Sequence, residues 1–234
     1  MIKKLLDNIL KMVGFICVKL YKPFGRRSLD RFLDNILESL DSQVEEVKVL
    51  NIGSGGDVFQ KLKNKSNFKI VQLDIDPDRN PDIVCDASNM KIIDSNSFDY
   101  VFAMEVLEHI PTPHLAVSEI NRVLKNDGHF IFSTPFIFPL HDEPYDFFRY
   151  TKYGLEYLLR DFSYVSIKEK NDYIHSFLIL LIRMIVLGNK YQRIASLITY
   201  LFVILSYPFW FIVSCIFNNR LATTGYLGIA RKRL

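Results

Sequence analysis

The spacing of apolar residues changes several times along the chain, and each change predicts a different kind of element. Over 1–27, Ile2, Leu5, Leu6, Ile9, Val13, Ile16 and Leu20 recur at helical spacing among Lys3, Lys4, Lys11, Lys19 and Lys22. This predicts a basic amphipathic helix ending near Pro23. It suits packing on a core and lying on an anionic membrane surface alike, and both readings stay open. A second helix is predicted from Ser28 to Leu40, with Ser28 as its N-cap. From 47 to 170 the pattern becomes short apolar runs alternating with helical stretches. Strands are predicted at Val47–Ile52, Lys69–Leu73, Ile83–Cys85, Tyr100–Ala103, His129–Ser133 and Tyr164–Lys168. Helices are predicted at Val58–Leu62, Leu115–Leu124 and Lys152–Leu159. Strands apolar on both faces and separated by helices predict an α/β fold, a Rossmann-like, doubly wound, mostly parallel sheet with helices on both faces.

Residues 174–218 break this rhythm as a hydrophobic helical insertion. Ile194 to Phe217 is a run of 24 uncharged residues, long enough to span a bilayer, preceded by a shorter apolar stretch, Phe177–Leu187, that Arg183 interrupts. Gly225–Lys232 then reads as one last strand. If that strand rejoins the sheet, the chain must return to the side it left. Lys190 and Arg193 at one end, with Arg220, Arg231, Lys232 and Arg233 at the other, place both ends on the cytoplasmic side. The pattern therefore predicts a bent or re-entrant hairpin within the run, with Lys190 and Arg220 on the same side. A two-helix crossing and a buried dimer interface are the alternatives. The chain divides into N-terminal helices over 1–44 and an α/β domain over 45–234.

Composition narrows the class. The sequence is 49% hydrophobic and 14% aromatic with mean hydropathy +0.11, and the insertion holds much of the excess. A net charge of +3 is too small to indicate a nucleic-acid partner. Cys17, Cys85 and Cys215 lie far apart without metal-ligand spacing, which fits a reducing compartment and predicts no metal site. Asp7 and Lys11 interrupt the apolar region that a signal peptide would need.

The chemistry begins where Val47–Ile52 runs into Gly53-Ser54-Gly55-Gly56-Asp57. Glycines at a strand-to-helix turn let the backbone approach a ligand closely, because no Cβ intervenes. The next strand ends in Asp74, 21 residues after Gly53, about the spacing at which an acid bonds ribose hydroxyls. Val58 stands where a dinucleotide-binding fingerprint needs its third glycine, which counts against an NAD-dependent dehydrogenase.

Five segments in order, Val49–Gly55, Leu73-Asp74, Cys85-Asp86-Ala87, Phe98–Val101 and Val106–Ile110, resemble the serial motifs of class I S-adenosylmethionine-dependent methyltransferases (type 11-like) over roughly residues 45–170. The resemblance implies S-adenosyl-L-methionine as cofactor. It implies that Asn51, Gly53, Ser54 and Gly55 face its amino-acid portion, that Asp74 and Ile75 hold the ribose, that Asp86 and Ala87 form the adenine edge, and that Ala103 and Met104 close the site. Two positions depart from the family: Asn51 stands where an acid is usual, and Asp57 where a third glycine is frequent.

The stretch Thr134–Thr151, following the fifth strand, carries the richest set of candidate acceptor-side residues. Ligands of open α/β sheets bind outside the carboxyl ends of the strands, where this loop belongs. His141 is the candidate general base, since an imidazole titrates near neutrality, and Asp142 and Arg149 complete the catalytic set. The alternative is that His141 and Arg149 brace the loop through Asp142 and Asp146. His109 reads as a supporting or capping residue. The pattern from His141 to Thr151 also resembles a subgroup of these methyltransferases found among enzymes that build surface polysaccharides.

Together these readings imply a membrane-associated methyltransferase on the cytoplasmic side of the cell membrane, acting on a small-molecule, sugar or lipid-linked acceptor. Two alternatives stay open: a soluble small-molecule methyltransferase that forms a homodimer through its hydrophobic segment, and a non-catalytic cofactor-binding scaffold.

Overall fold

The computed structural model describes residues 12, 25–40, 46–54, 57–186, 190–217 and 219–234; at 57, 183–186 and 190–197 it describes the backbone alone. The expected N-terminal helix over 1–27 falls outside the described residues, apart from its helical Met12 and the residues from 25 onward. Helix α1 covers 25–40, and its leucines at 29, 33, 37 and 40 form one buried stripe. Its described part begins three residues before the expected N-cap. Ser28 lies inside it and donates its hydroxyl to Asn171 Oδ1 (3.0 Å) instead of capping.

The order that follows is β1 (Val47–Ile52), α2 (Asp57–Lys63), β2 (Phe68–Asp74), β3 (Ile83–Val84), β4 (Phe98–Met104), α3 (Pro113–Val123), β5 (Leu124–Pro135), α4 (Lys152–Leu158), β6 (Tyr164–Glu169), α5 (Tyr173–Val186), α6 (Lys190–Ile216) and β7 (Gly225–Arg231). The seven strands form one sheet in the order β3-β2-β1-β4-β5-β7-β6. β1, β2, β3, β4 and β5 are parallel, and β7 runs antiparallel to β5. This is the expected Rossmann-like sheet, with the last strand returning to it.

The strands pair because both faces are apolar. Val49, Leu50, Val101, Phe102, Phe130, Ile131 and Phe132 are at most 1% exposed, and α3 covers its side with Ala116, Val117, Ile120 and Val123 at helical spacing. β5 begins five residues earlier than the apolar pattern suggests. Leu124 pairs with Phe98 and His129 with Tyr100, so 125–128 bulge between two paired stretches. In β7, Gly228 lies opposite Phe132, and a Cβ there would sit 2.1 Å from the ring. Only glycine lets these two central strands approach.

The chain folds into two compact units, one comprising 1–31, 137–139 and 169–224, the other 32–136, 140–168 and 225–234. The second unit is the sheet with its covering helices. The first contains the apolar insertion as two helices, α5 and α6. Leu178, Ile179 and Ile182 of α5 pack on Tyr200 and Val203 of α6, and the α5 backbone begins by donating from Tyr173 N to Asn219 O (2.8 Å). The expected bend inside 194–217 is absent: α6 runs through Pro208 as one helix of 27 residues. The outgoing limb is α5, so α6 needs no reversal. Lys190 is consequently the first residue of α6 and Arg220 lies past its other end, about 40 Å of helix away at 1.5 Å per residue, and not together as the charge pattern suggested.

Candidate active site

Parallel pairing brings the C-terminal ends of β1, β2 and β4 to one edge, and the cofactor candidates gather there. Gly53 closes β1 with φ +84°, a left-handed conformation natural to glycine, and donates its N–H to Leu73 O (2.8 Å). A Cβ on it would lie 2.6 Å from Val106 Cγ2. Ser54 Oγ donates to Asp74 Oδ2 (3.2 Å), while Oδ1 of the same carboxylate accepts from Asp76 N (3.0 Å). Asp74 is 6% exposed, and a carboxylate offers about four lone-pair sites, so acceptor capacity is left for a diol. Asn51 is buried and spends its side chain inward, donating Nδ2 to Gly53 O (3.4 Å). It therefore shapes the turn. Ile75 is exposed beside Asp74. Gly55 and the Asp57 side chain lie outside the described residues.

The expected adenine edge follows β3. Cys85 N bonds to Asp74 O (2.9 Å), Asp86 Oδ1 accepts from Ser88 N (2.8 Å), and Ala87 is buried. Arg122 of α3 fixes this segment by donating to Met90 O and Ile93 O (2.8 Å each) while pairing with Glu119. Ala103 and Met104 end β4 on the same edge, and Glu105 follows in a left-handed conformation (φ 56°). Its N–H bonds to Ser133 Oγ (3.1 Å), and that hydroxyl donates to Glu105 Oε1 (2.6 Å). The glycine turn, the buried acid and the small residues closing β4 fit S-adenosylmethionine at this edge.

The loop after β5 holds a second constellation. Asp146, whose side chain is 2% exposed, pairs through both oxygens with Arg149 (2.5 Å each) and accepts from His141 N (3.0 Å). The Arg149 guanidinium holds the Asp146 carboxyl far below the usual carboxylate range, against the opposing effect of burial. His141 Nδ1 lies 3.2 Å from this ionised oxygen, so Nδ1 carries the ring proton and Nε2 is the basic nitrogen. His109 is oriented in the same way, because its Nδ1 faces the Tyr145 carbonyl at 2.7 Å. The two rings meet edge to face at 4.9 Å. Their Nε2 atoms stand 3.9 Å (His141) and 3.8 Å (His109) from Glu108 Oε1, in a residue with no exposed surface. Tyr150 donates to Leu107 O (2.9 Å) and holds the 3-10 turn Leu107–His109 in place.

The expected set is thus partly regrouped. His141 and Arg149 come together through Asp146, whereas Asp142 is largely exposed and stands 3.9 Å from His109 Nε2. Glu108 is the residue that the sequence reading passed over as catalytic. Its signal was a carboxylate inside an otherwise apolar motif segment. Glu108, His109 and His141 bring one ligand atom each within 4.8 Å of one another, a donor set that could hold a divalent metal ion where none was expected.

The methyltransferase-domain family profile matches residues 50–132. A ubiquinone biosynthesis O-methyltransferase of Yersinia enterocolitica is 27% identical over 128 residues, covering 49% of this chain and 52% of that protein. One of Glaesserella parasuis is 44% identical over 43 residues, 18% of each chain. The chain therefore spans about half the length of the first of these curated relatives and less of the second. Among solved structures, an S-adenosylmethionine-dependent methyltransferase of Archaeoglobus fulgidus superposes with TM-score 0.57 at 16% identity, covering 91% of this chain and 98% of that one. Phosphoethanolamine N-methyltransferase 2 of Haemonchus contortus, in complex with S-adenosyl-L-methionine, gives 0.56 at 14% identity over 87% and 53%. These structural likenesses bear on the fold.

Proposed function

We propose that this chain, which carries a class I S-adenosylmethionine-dependent methyltransferase domain, methylates a hydroxyl of a glycan or lipid-linked acceptor on the cytoplasmic face of the cell membrane. The observation that carries the reading is the His141–Asp146–Arg149 chain, in which a buried, ionised carboxylate fixes one imidazole tautomer with Nε2 as acceptor. That is the arrangement a general base requires.

When bound, the cofactor supplies a methyl carbon activated by its sulfonium. Gly53, Ser54 and Asp74 would hold it, with Ala87, Ala103 and Met104 walling the site. His141 Nε2 would take the proton of the acceptor hydroxyl as that oxygen receives the methyl group, leaving the cofactor as its neutral thioether. Asp146 would stabilise the imidazolium that forms. His109 supports the Glu108 side of the pair.

The names of the two relatives support an oxygen acceptor, and the apolar α6 supports a site of action at a membrane. The test supplies the purified protein with methyl-labelled cofactor and, separately, lipid-linked glycan, free glycan and lipid fractions. Label should enter a lipid-linked or glycan fraction with wild type and not with His141→Ala. Cofactor binding without transfer to any fraction would mean a non-catalytic scaffold.

A metal-assisted variant has its own observation, the convergence of Glu108, His109 and His141. It predicts that chelation abolishes turnover, whereas a His141 base acting without metal is indifferent to chelators.

A further inference from the structure

The α5–α6 unit has a polarity profile of its own. Its base is polar: Asn171 N donates to Thr223 Oγ1 (3.1 Å), Asn171 Nδ2 to Thr224 Oγ1 (2.6 Å), and Asp172 caps α5 by accepting from His175 N (3.0 Å). Beyond the base, 194–217 contains no charged residue, and α6 ends at Lys190 with Arg193 one turn inside.

Among the described side chains of α6, from 198 onward, the exposed ones are apolar. Ile198, Leu201, Phe202, Ile204, Leu205, Phe209, Phe211, Ile212 and Ile216 are 49–80% exposed, while Tyr200, Val203 and Ser214 mark the buried stripe. At 100° per residue the exposed set fans over roughly half of the circumference. A second copy of one helix would cover a narrower stripe and leave a polar rim. Hydrocarbon solvates every direction at once. Four polar side chains inside the run have partners within the unit. Ser206 Oγ donates to Phe202 O (2.6 Å), Trp210 Nε1 to Ser206 Oγ (3.1 Å) and Ser214 Oγ to Phe211 O (2.8 Å), and Tyr207 OH meets His175 Nε2 (3.2 Å). A surface meant for water has no need of such closure; a lipid-facing helix does.

From this profile we infer that α5 and α6 form a hairpin inserted in a lipid bilayer, with the acyl chains as the occupant of the exposed α6 surface. The base at Asp172 and Asn219 stays at the headgroups of one face, and Lys190 and Arg193 emerge at the other. The apolar window Ile198–Ile216 has 19 residues, about 28 Å of helix against a hydrocarbon core of about 30 Å. The inference adds to the proposed function without depending on methyl transfer, because its readouts are lipid contact and topology.

Trp210 is the sole tryptophan, so the full-length protein reports on itself. In vesicles of phosphatidylcholine brominated on its acyl chains, mixed with phosphatidylglycerol, Trp210 emission should shift to the blue and be quenched. Leu205→Glu places a charge on the most exposed of these α6 side chains. It should lower vesicle partitioning by about a hundredfold while S-adenosylmethionine affinity stays at the wild-type value. In a background lacking cysteine, Lys190→Cys and Arg220→Cys should react with an impermeant maleimide from opposite faces. Quenching absent in vesicles, or a blue shift that follows protein concentration instead of lipid, would overturn the inference in favour of a protein interface. Labelling of both positions from one face would overturn the crossing.

Discussion

The sheet unit and the helical pair solve opposite solvation problems with the same apolar residue types. In the sheet unit the strand aromatics Phe102, Phe130 and Phe132 go inward and have no exposed surface, and Asp74 and His141 belong to the polar site. In the helical pair, Phe202, Phe209 and Phe211 go outward, and the polar groups Ser206, Tyr207 and Trp210 bond to one another, to backbone or to His175. Burial of apolar side chains is the usual outcome in water, and inversion of that rule is informative where it forms a continuous surface. Chemistry should accordingly localise to the first region and environment-sensing to the second.

The strongest way to break that division is His141→Ala. Turnover should fall by ~10²–10⁴, with cofactor affinity and vesicle binding unchanged. A variant that lost vesicle binding as well would couple two regions treated as independent.

Asp74→Ala comes next. Removing a buried acceptor should weaken S-adenosylmethionine binding by ~1.5–3 kcal/mol in calorimetry, again without effect on lipid partitioning. Unchanged affinity would move the ribose site elsewhere on the edge.

Arg149→Ala tests the brace beneath His141. The Asp146 carboxyl is depressed in the folded state, so its contribution to stability is present above the unfolded carboxylate value near ~3.9 and is lost as pH falls through the lower folded value. At pH 7 the variant should unfold with ~1–3 kcal/mol less stability. The gap should narrow as pH falls from ~4 toward the lower folded value, because the unfolded chain takes up the proton first. A gap independent of pH would mean that Arg149 acts through packing.

The smallest effect compares two free thiols. Cys85 lies in the sheet unit, where burial, then Asp86 and Glu119, push its thiol above the usual value; Cys215 is exposed on α6. In detergent-free solution Cys215 should react with maleimide several-fold faster than Cys85, and adding vesicles should reverse the order by shielding Cys215. Vesicle-independent rates would leave α6 facing water.

Much of the sheet was legible because its signals are local. Val47–Ile52 was placed to the residue, since an apolar run ends at a glycine turn, and β7 was anticipated from a similar run at the terminus. Asp74 and Gly53 were legible because spacing along the chain maps onto position at a parallel edge. Glu108 was not, because its role depends on His141, which lies 33 residues onward and comes within 3.9 Å of it through the fold. Asp142 stood in the expected catalytic set, whereas Asp146 entered only as part of the bracing alternative. The loop instead turns at Asp142, in a left-handed conformation (φ 52°), and the buried acid is four residues further on. Composition identified the apolar run, but the direction of chain reversal depends on α5, whose Arg183 disguised it as an interrupted stretch.

The position of β7 carries a consequence for synthesis. It lies between β5 and β6, with Ser163 N bonded to Arg231 O (2.8 Å) and Lys232 Nζ reaching Asn96 Oδ1 and Leu124 O (2.8 and 2.7 Å). A growing chain has already displayed β1 to β6 before the ribosome reaches the helical pair, yet the sheet cannot close until residues 225–231 follow. Until then β5 and β6 present open edges, the kind that recruit foreign strands. Vectorial production therefore brings α5 and α6 out before the sheet that precedes them in the chain is sealed, and a chain cut short before Gly225 would keep both edges open.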